Sequence, residues 1–517
     1  MIIEKWGIFE QAFQGRSDGN PFIDYEIHGT FSHEKELLTI DGFYDGDGIY
    51  KIRFMPSFEG EYHYEITGTF SDKIHTGTFT AAAPSGNNHG PVSVYGQHQL
   101  AYADGTPHYS LGTTCYTFDL QKEPIINETF EELKKGYFNK LRFCIMPKHY
   151  DFCLHDPEAF PYEGTPVDIS ALTRENFSQY NGCPKGNDWD FTRFNPAFFR
   201  IHDRTIERLM ELGLEADLIL FHAYDRWGFS QMPMEDNLRY IRYITARYSA
   251  YRNVWWSLAN EYELLRHLSV DDWEQMAAVL TAADRYGHLR SIHNCEIFYD
   301  YSKPWITHCS CQRCDHYKTT ETTAELRKLY GKPVIWDEVG YEGNFPHCWG
   351  NFTAEELTRR AWEALIRGGY CGHGETFLSD DNIIWWCHGG RLKGLSGPRF
   401  RFMMDFLKDV PGHGLKEGEV RDDIHFQWDD KVAVPEEEAY EGEYYFFYFS
   451  IWRPPFRQIY IDDDTWYDAE IIDTWNMTVT PAGRHKGRYE LKLPGTQYIG
   501  IRLRKCADQR INDEYIG

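Results

Sequence analysis

The fold is decided by two stretches of sequence, NVWWSLANEYE (253–263) and KPVIWDEVGYEG (332–343), each an apolar run that finishes abruptly in acidic residues. A continuous apolar run of this length is typical of a strand that is buried on both faces, as in a parallel sheet. The carboxyl ends of parallel strands meet at one edge, so the terminal acids are expected to face a common site. Because buried carboxylates without a function are costly, Glu261 and Glu338 are predicted to be catalytic.

Six further runs of the same kind accompany these two, with amphipathic helical stretches between them. This alternation predicts repeated βα units, and eight strands in chain order predict a closed parallel (β/α)8 barrel, or TIM barrel, over residues 92–410. The other strand candidates are HYSLGTTCYTF (108–118), FNKLRFCIMP (138–147), EADLILFHAYD (215–225), LRSIHNC (289–295), WITHCSCQ (305–312) and GGYCGHGETF (368–377).

The regions on either side of the predicted barrel have a different pattern. Residues 1–84 read as short alternating strands separated by turns, for example GEYHYEITGTF (60–70), and predict a small N-terminal β-sandwich. The turn-forming run PSGNNHGP (84–91) predicts a junction. Residues 411–517 return to strand patterns and predict a C-terminal β-sandwich. A multidomain chain is therefore expected.

Composition narrows the class of partner. The chain of 517 residues carries 79 acidic and 53 basic side chains, a formal net charge of −26, so neither nucleic acid nor an anionic membrane surface is expected to bind. Aromatic residues make up 16% of the chain, which weakly favours a small carbohydrate that stacks on flat rings.

The opening MIIEKWGIFEQAF carries Glu4 where a signal peptide would be apolar, so a cytoplasmic location is predicted. Formation of a homo-oligomer is left open by the sequence.

Twelve cysteines without a regular framework are interpreted as reduced thiols. One cluster, Cys309, Cys311 and Cys314 between His308 and His316, resembles half of a zinc site. The second half of such a signature is absent, so free thiols are the favoured interpretation. No metal or cofactor is predicted.

Glycoside cleavage requires two carboxylates, one to protonate the leaving oxygen and one to attack the anomeric carbon. Glu261 follows the apolar run VWWSLAN, where loss of hydration would raise its pKa and keep it protonated as the general acid. Arg142, from the second strand, would hold Glu338 ionised as the nucleophile. Asn260 would donate a hydrogen bond to the sugar 2-hydroxyl.

Other polar and aromatic residues near strand ends are predicted to bind the substrate. His222 and Asp225 would bind hydroxyl groups, and Glu375 would bind a hydroxyl pair. Trp385 or Trp386 would stack on a ring face. A lone histidine is more often a satisfied core residue, and the two tryptophans have a plain alternative as a cap on the barrel.

The ordered pair WSLANE and PVIWDEVGYE resembles the acid/base and nucleophile motifs of the (β/α)8 superfamily of retaining glycosidases called clan A. The segments WGIFEQAF, DWDFTRFNPAFF, ADLILFHAYDRWGF and GHGETF…WWCHGG resemble a bacterial group within it. That group joins an N-terminal immunoglobulin-like domain, a barrel related to apiosidases and cellulase-like enzymes, and a small C-terminal β-domain. The resemblance implies Glu261 as acid/base, Glu338 as nucleophile, Asn260 as the residue that contacts the 2-hydroxyl and Arg142 as partner of the nucleophile.

The resemblance leaves one position open. Many clan members carry a Tyr or His near the sixth strand that touches the nucleophile, and here that strand offers only His308 beside Cys309 and Cys311. His308 is therefore included among the predicted substrate-binding residues.

The function expected from these residues is that of a retaining, exo-acting β-glycosidase that hydrolyses small oligosaccharides or glycosides by double displacement. Three alternatives stay open: an apiosidase-like furanosidase, a catalytically silent sugar-binding protein, and metal-assisted hydrolysis at the cysteine cluster.

Overall fold

The computed structural model of the protein describes residues 1–315, 317–418 and 431–506. Its N-terminal region contains a five-stranded sheet of order β1-β8-β7-β3-β4 and a three-stranded sheet of order β2-β6-β5. Every strand pair in these sheets is antiparallel except β1 with β8. The elements are β1 (Ile2–Glu4), β2 (Phe9–Gln14), α1 (Pro21–Asp24), β3 (His28–His33), β4 (Glu36–Asp41), β5 (Phe43–Tyr44), β6 (Ile49–Phe54), β7 (Gly60–Thr67) and β8 (His75–Ala82).

The two N-terminal sheets enclose an aromatic core. Period-two alternation explains this, because in β7 Tyr62 and Ile66 are buried while His63 and Glu65 between them are exposed. Phe31 of one sheet stacks on Phe54 of the other with ring centroids 4.0 Å apart.

The central region contains eight parallel strands that follow one another in chain order. β11, β12, β15, β16 and β17 form one sheet, and β18, β19 and β21 form another. Isolated parallel bridges, His293 with Ser310 and Thr113 with His373, connect the two sheets at both seams. Each strand lies inside one of the eight predicted runs. They are β11 (Gly112–Thr114), β12 (Lys140–Cys144), β15 (Glu215–Phe221), β16 (Val254–Ala259), β17 (Arg290–Ser291), β18 (Cys309–Gln312), β19 (Val334–Glu338) and β21 (Tyr370–Cys371).

Short strands and helices fill the connections between these eight strands. The helix α3 shows why they form where they do, since Asn195 caps its N-terminus, Pro196 occupies its first turn and its apolar face is buried. The additional strands are β9 (Val92–Tyr95), β10 (Gln99–Tyr102), β13 (Tyr162–Thr165), β14 (Asp188–Phe194), β20 (Glu342–Gly343) and β22 (Glu375–Thr376). The helices are α2 (Glu123–Leu133), α3 (Pro196–Glu211), α4 (Met234–Tyr248), α5 (Val270–Ala283), α6 (Thr323–Tyr330), α7 (Ala354–Leu365), α8 (Trp385–His388) and α9 (Ser396–Leu407).

The C-terminal region contains a six-stranded sheet of order β23-β24-β25-β30-β27-β28 and the pair β26-β29. One face of β25 packs on the central helices, where Phe446 lies with its ring centroid 4.6 Å from that of Phe406 and 5.6 Å from that of Trp362. The strands are β23 (Leu415–Gly418), β24 (Lys431–Pro435), β25 (Tyr444–Tyr448), β26 (Phe456–Tyr460), β27 (Tyr467–Asp473), β28 (Thr478–His485), β29 (Arg488–Lys492) and β30 (Ile499–Lys505).

A buried ion quartet joins the N-terminal sheets to the central region. Asp203 on α3 accepts from Arg53 on β6 at 2.9 Å and from Arg247 on α4 at 2.5 Å. Arg247 also contacts Asp45 from the N-terminal region at 2.8 Å. Burial disfavours the charge on Asp203, but the two guanidinium groups outweigh it and hold the pKa of that carboxyl below its usual range.

One cystine corrects the expectation that all twelve cysteines are reduced. Cys153, in the loop after β12, is disulfide-bonded to Cys387 on α8. Their separation of 234 residues explains why no local spacing pattern reveals the pair. The other ten cysteines are free thiols.

Among the helices of the described residues, none combines the length and apolarity that crossing a bilayer requires.

Removing one carboxylate from the quartet is expected to destabilise the protein. Asp203→Ala leaves two buried guanidinium groups short of a counter-charge, which should lower the free energy of unfolding by about 3–5 kcal/mol. Urea unfolding followed by tryptophan fluorescence measures the change. The matched control is Asp468→Ala, which breaks an exposed pair with Arg484 and should cost far less. An equal loss in both variants would contradict the role given to the quartet.

Candidate active site

A cavity of about 590 Å³ opens where the carboxyl ends of the central strands meet. Both Glu261 and Glu338 line it, so the structure brings the two predicted catalytic carboxylates together. Aromatic side chains supply much of its wall, namely Tyr116, Tyr150, Tyr224, Phe298, Tyr341, Trp349 and Trp386. A larger surface groove of about 1270 Å³ beside α7 contains neither carboxylate. The smaller cavity is therefore the candidate active site.

Glu338 ends β19 and is held by two donors. Arg142 donates to its Oε1 at 2.7 Å, and the Tyr116 hydroxyl donates to the same oxygen. Burial disfavours the carboxylate, but the charge of Arg142 and the hydrogen bond from Tyr116 outweigh it and hold the pKa of Glu338 below the usual range. Burial also lowers the pKa of His293 to about 3, so this imidazole is neutral and Arg142 is the charge that keeps Glu338 ionised.

Glu261 follows β16 and is held in the opposite state. Burial, together with the charge of Glu338, raises the pKa of Glu261. Tyr224 donates to its Oε2, and Gln312 donates to its Oε1 at 3.2 Å. Its backbone is left-handed, with φ of +52°, which costs energy in a residue that has a Cβ. Such strain is characteristic of functional positions.

Asn260 links the two carboxylates. Its Oδ1 accepts from Arg142 at 2.7 Å, and its Nδ2 donates to Glu261 at 3.0 Å. The amide orientation follows from these partners, since only the oxygen can accept from a guanidinium. Arg142 and Asn260 are thus placed at the site, behind the two carboxylates.

A second set of buried charges lies directly beneath the first. Lys140 on β12 donates to Asp217 at 2.9 Å and to Asp337 at 2.6 Å. Asp337 immediately precedes Glu338, so this pairing fixes the strand that carries the nucleophile candidate. Burial disfavours ionised Asp337, but Lys140 and Arg142 outweigh it and lower its pKa.

Two predicted substrate-binding residues on the loop after β15 do not line the cavity. His222 is buried, and its Nε2 contacts the Met146 carbonyl oxygen at 3.2 Å. Asp225 accepts from the backbone N–H groups of Trp227 and Ser230, each at 2.8 Å. Both residues hold loop backbone in place, which corrects the expectation that they face a sugar.

Three further predicted residues also point elsewhere. His308 precedes β18 and so lies at the amino end of the strand, with Nδ1 3.0 Å from the Thr307 hydroxyl. Glu375 accepts from the backbone N–H groups of Lys393 and Gly394, and burial raises its pKa to about 7. Trp385 donates to the Thr113 hydroxyl at 2.8 Å inside the core.

Trp386 is the predicted ring that does line the cavity. It meets Tyr116 edge to face, with ring centroids 5.5 Å apart. The indoles of Trp385 and Trp386 therefore have different surroundings although they are neighbours in sequence.

Several site residues were not predicted from the sequence: Tyr116, Tyr224, Lys148, Gln312 and Trp349. Tyr116 and Tyr224 follow β11 and β15 by two and three positions, and both touch a carboxylate. Their positions after strand ends were a usable signal. Tyr116 donates to Glu338 from the end of the first central strand, whereas the resemblance expects a contact from near the sixth.

The cysteine cluster does not form a metal site in the described residues. Cys309 and Cys311 are buried free thiols, and Cys314 lines the candidate active site. His308 contacts Thr307, and His316 lies outside the described residues.

Two other groups bring possible metal ligands within 4.8 Å of one another. In the first, Cys153 and Cys387 are bonded to each other beside His388, so neither sulfur is a thiolate. In the second, Glu342 and Glu375 lie near His373 but already accept from backbone N–H groups of residues 393–396. These carboxylates anchor the start of α9.

Arg142→Met tests how far the site depends on the buried guanidinium. The substitution leaves Glu338 buried without a counter-charge and should lower the free energy of unfolding by about 3–5 kcal/mol, measured by urea unfolding at pH 7. The double variant Arg142→Met/Glu338→Leu should recover most of the loss because neither member of the pair is left as an unpaired charge. A double variant as unstable as the single one would mean that Arg142 acts through packing alone.

Comparison with known proteins agrees with the resemblance drawn from the sequence. Residues 95–435 match a family model described as apiosidase-like, catalytic domain. Residues 2–69 and 428–504 match two domains of unknown function, DUF5060 and DUF5605. No curated protein matches the chain.

Among solved structures, the chain is similar to a candidate glycoside hydrolase from Bacteroides vulgatus ATCC 8482, with 36% identity and a TM-score of 0.88 over 98% of this chain and 100% of that one. A family 5 glycoside hydrolase from the same organism has 13% identity and a TM-score of 0.61, over 83% and 96% of the two chains. Another glycoside hydrolase has 14% identity and a TM-score of 0.61, over 81% and 98%. These last two similarities show the fold alone. The chain is a multidomain protein of glycoside hydrolase-like fold, and it belongs to the family with an apiosidase-like catalytic domain.

Proposed function

We propose that this protein is a retaining, exo-acting β-glycosidase that hydrolyses small oligosaccharides or glycosides by double displacement. The observation that carries the proposal is the pair of buried carboxylates in one cavity, with the pKa of Glu338 lowered and that of Glu261 raised. When two neighbouring carboxyl groups have different pKa values, the one with the lower pKa is ionised and can act as base or nucleophile. The one with the higher pKa stays protonated and can act as acid.

The proposed reaction has two steps. In the first, ionised Glu338 attacks the anomeric carbon while protonated Glu261 gives its proton to the departing glycosidic oxygen. In the second, Glu261 takes a proton from water, the water oxygen attacks the anomeric carbon, and the bond to Glu338 breaks. Tyr116 and Arg142 donate to Glu338 and so orient its attacking oxygen.

The fold proposal that accompanies this mechanism is a closed (β/α)8 barrel over residues 92–410, between an immunoglobulin-like β-sandwich over residues 1–84 and a C-terminal β-sandwich over residues 411–517. Eight parallel strands with bridges at both seams support barrel closure. Paired sheets at each end of the chain support the two sandwiches.

A short substrate is part of the proposal. The cavity volume of about 590 Å³ falls within the range that encloses a small ligand rather than a polymer. Trp386, Trp349 and Tyr150 offer flat faces for a sugar ring. A cytoplasmic location and a homo-oligomeric state stay predictions.

A second candidate is an apiosidase-like furanosidase that uses the same pair of carboxylates on a five-membered ring. The family model described as apiosidase-like, which matches residues 95–435, favours it. A panel of nitrophenyl pyranosides and furanosides separates the two candidates, since each predicts turnover of one ring size.

Glu338→Gln should reduce kcat for the best nitrophenyl glycoside by at least about 10⁴-fold, because the nucleophile is lost. The control is Glu296→Gln, which changes another cavity carboxylate and should keep most of the activity. Proton NMR of the first product should show the anomer of the substrate retained. Sugar binding without turnover in the unmodified chain, unchanged by Glu338→Gln, would instead support a silent binding protein.

The pH dependence of kcat/KM should be bell-shaped. Glu338 must be ionised, so its lowered pKa places the acid limb below the usual range for glutamate. Glu261 must be protonated, so its raised pKa places the basic limb above that range. Tyr224→Phe removes a donor that favours ionised Glu261 and should shift the basic limb to higher pH. A basic limb that does not move would contradict the assignment of Glu261 as acid.

A further inference from the structure

One cation in the cavity has no role in the proposed reaction. Lys148 follows β12 by four residues, lines the same cavity as Glu261 and Glu338, and is only 4% exposed. Within the described parts of the chain, no hydrogen bond or ion pair involves its Nζ. Its three N–H donors therefore face the cavity without a protein acceptor.

Aromatic rings surround this ammonium group. Nζ lies 3.5 Å from the ring centroid of Tyr116, 4.1 Å from that of Tyr224 and 4.8 Å from that of Trp386. Each ring face attracts a cation, which offsets part of the cost of removing the charge from water. Burial lowers the pKa of Lys148 to about 8, so the group is still mostly charged at neutral pH.

The neighbouring charges leave Lys148 without a counter-ion of its own. Glu338 is paired with Arg142 at 2.7 Å, and the raised pKa of Glu261 favours its neutral form. Of the other charged groups that line the cavity, Arg313 pairs with Asp315 at 2.6 Å, and Glu296 is exposed at the rim. In the state required for catalysis, the buried groups Arg142, Glu338 and Lys148 therefore carry a net charge of about +1, and the unpaired charge faces the space that a substrate occupies.

A purely structural role does not account for these features. A neutral side chain of similar length, such as methionine, would fill the same volume without the cost of desolvating an ammonium group. A buried charge that keeps its donors free is characteristic of a group that pairs with a ligand.

We propose that Lys148 determines specificity by binding an anionic substituent of the substrate, a carboxylate or a sulfate carried by the sugar. The inference rests on the proposed function and adds its substrate class, that of acidic rather than neutral glycosides. A charge-assisted hydrogen bond inside this cavity strengthens binding of an acidic sugar by about 10- to 100-fold relative to its neutral counterpart.

The binding test uses the full-length chain and free sugars, which are not hydrolysed. Calorimetry compares glucuronate and galacturonate with glucose and galactose, and a further arm uses galactose 6-sulfate to separate sulfate from carboxylate recognition. The acidic member of at least one pair should bind about 10- to 100-fold more tightly. Equal affinities, or no binding of any acidic sugar, would overturn the proposal.

Lys148→Met and Lys148→Arg assign the preference to this side chain. Methionine should abolish the preference for acidic sugars, while arginine should keep part of it because it keeps the charge. A preference that survives Lys148→Met would assign it to another group and would contradict the inference. Because Lys148→Arg keeps the cation, it also serves as the folding control.

Turnover separates this inference from the proposed function. With nitrophenyl β-glucuronide and β-glucoside, Lys148→Met should raise KM for the glucuronide about 10-fold or more with a smaller effect on kcat. Hydrolysis of neutral glycosides that needs Glu338 but shows no acidic preference would leave the proposed function standing and overturn the inference. Binding of acidic sugars that needs Lys148, without hydrolysis of any glycoside, would support the inference and overturn the proposed function.

Discussion

The guanidinium of Arg142 is the group on which the site depends. It is 1% exposed, so acceptors inside the protein must replace the water that its two terminal nitrogens have lost. Glu338 and Asn260 do this, and they arrive from two different strands. Because Asn260 also donates to Glu261, one buried cation fixes the distance and orientation between both acidic residues. The fold can satisfy this charge because β12, β16 and β19, which are not neighbours in the sheets, all end around the same cavity.

Parallel strands arrange charge in layers here. Lys140 and Arg142, two residues apart on β12, point to the same side, and each pairs with an acid from β19, Asp337 or Glu338 respectively. The lower layer holds the strands together in a dry interior, while the upper layer opens into the cavity. A buried ion pair thus stabilises the strands in the lower layer, and another orients the proposed nucleophile in the upper layer.

The sequence predicted the features that follow from strand periodicity. It did not predict the side-chain positions that depend on the paths of the loops. Eight apolar runs became eight strands, and the acids that end two of them met in one cavity. Glu375 also follows an apolar run, but the loop that folds over it supplies backbone donors, so it turns away from the substrate space. Lys148 and the bond between Cys153 and Cys387 depend on loop paths that no local pattern describes.

The ion quartet between the N-terminal sheets and the central region limits how this protein can be rearranged. Arg53 and Asp45 come from one side of the junction, and Asp203 and Arg247 from the other, so each side leaves a cation and an anion to be matched. A recombined gene that joined this N-terminal region to an unrelated partner would bury unmatched charges at the seam. The two regions are therefore expected to be inherited together. A recombination between relatives that yields a stable protein must keep all four residues matched.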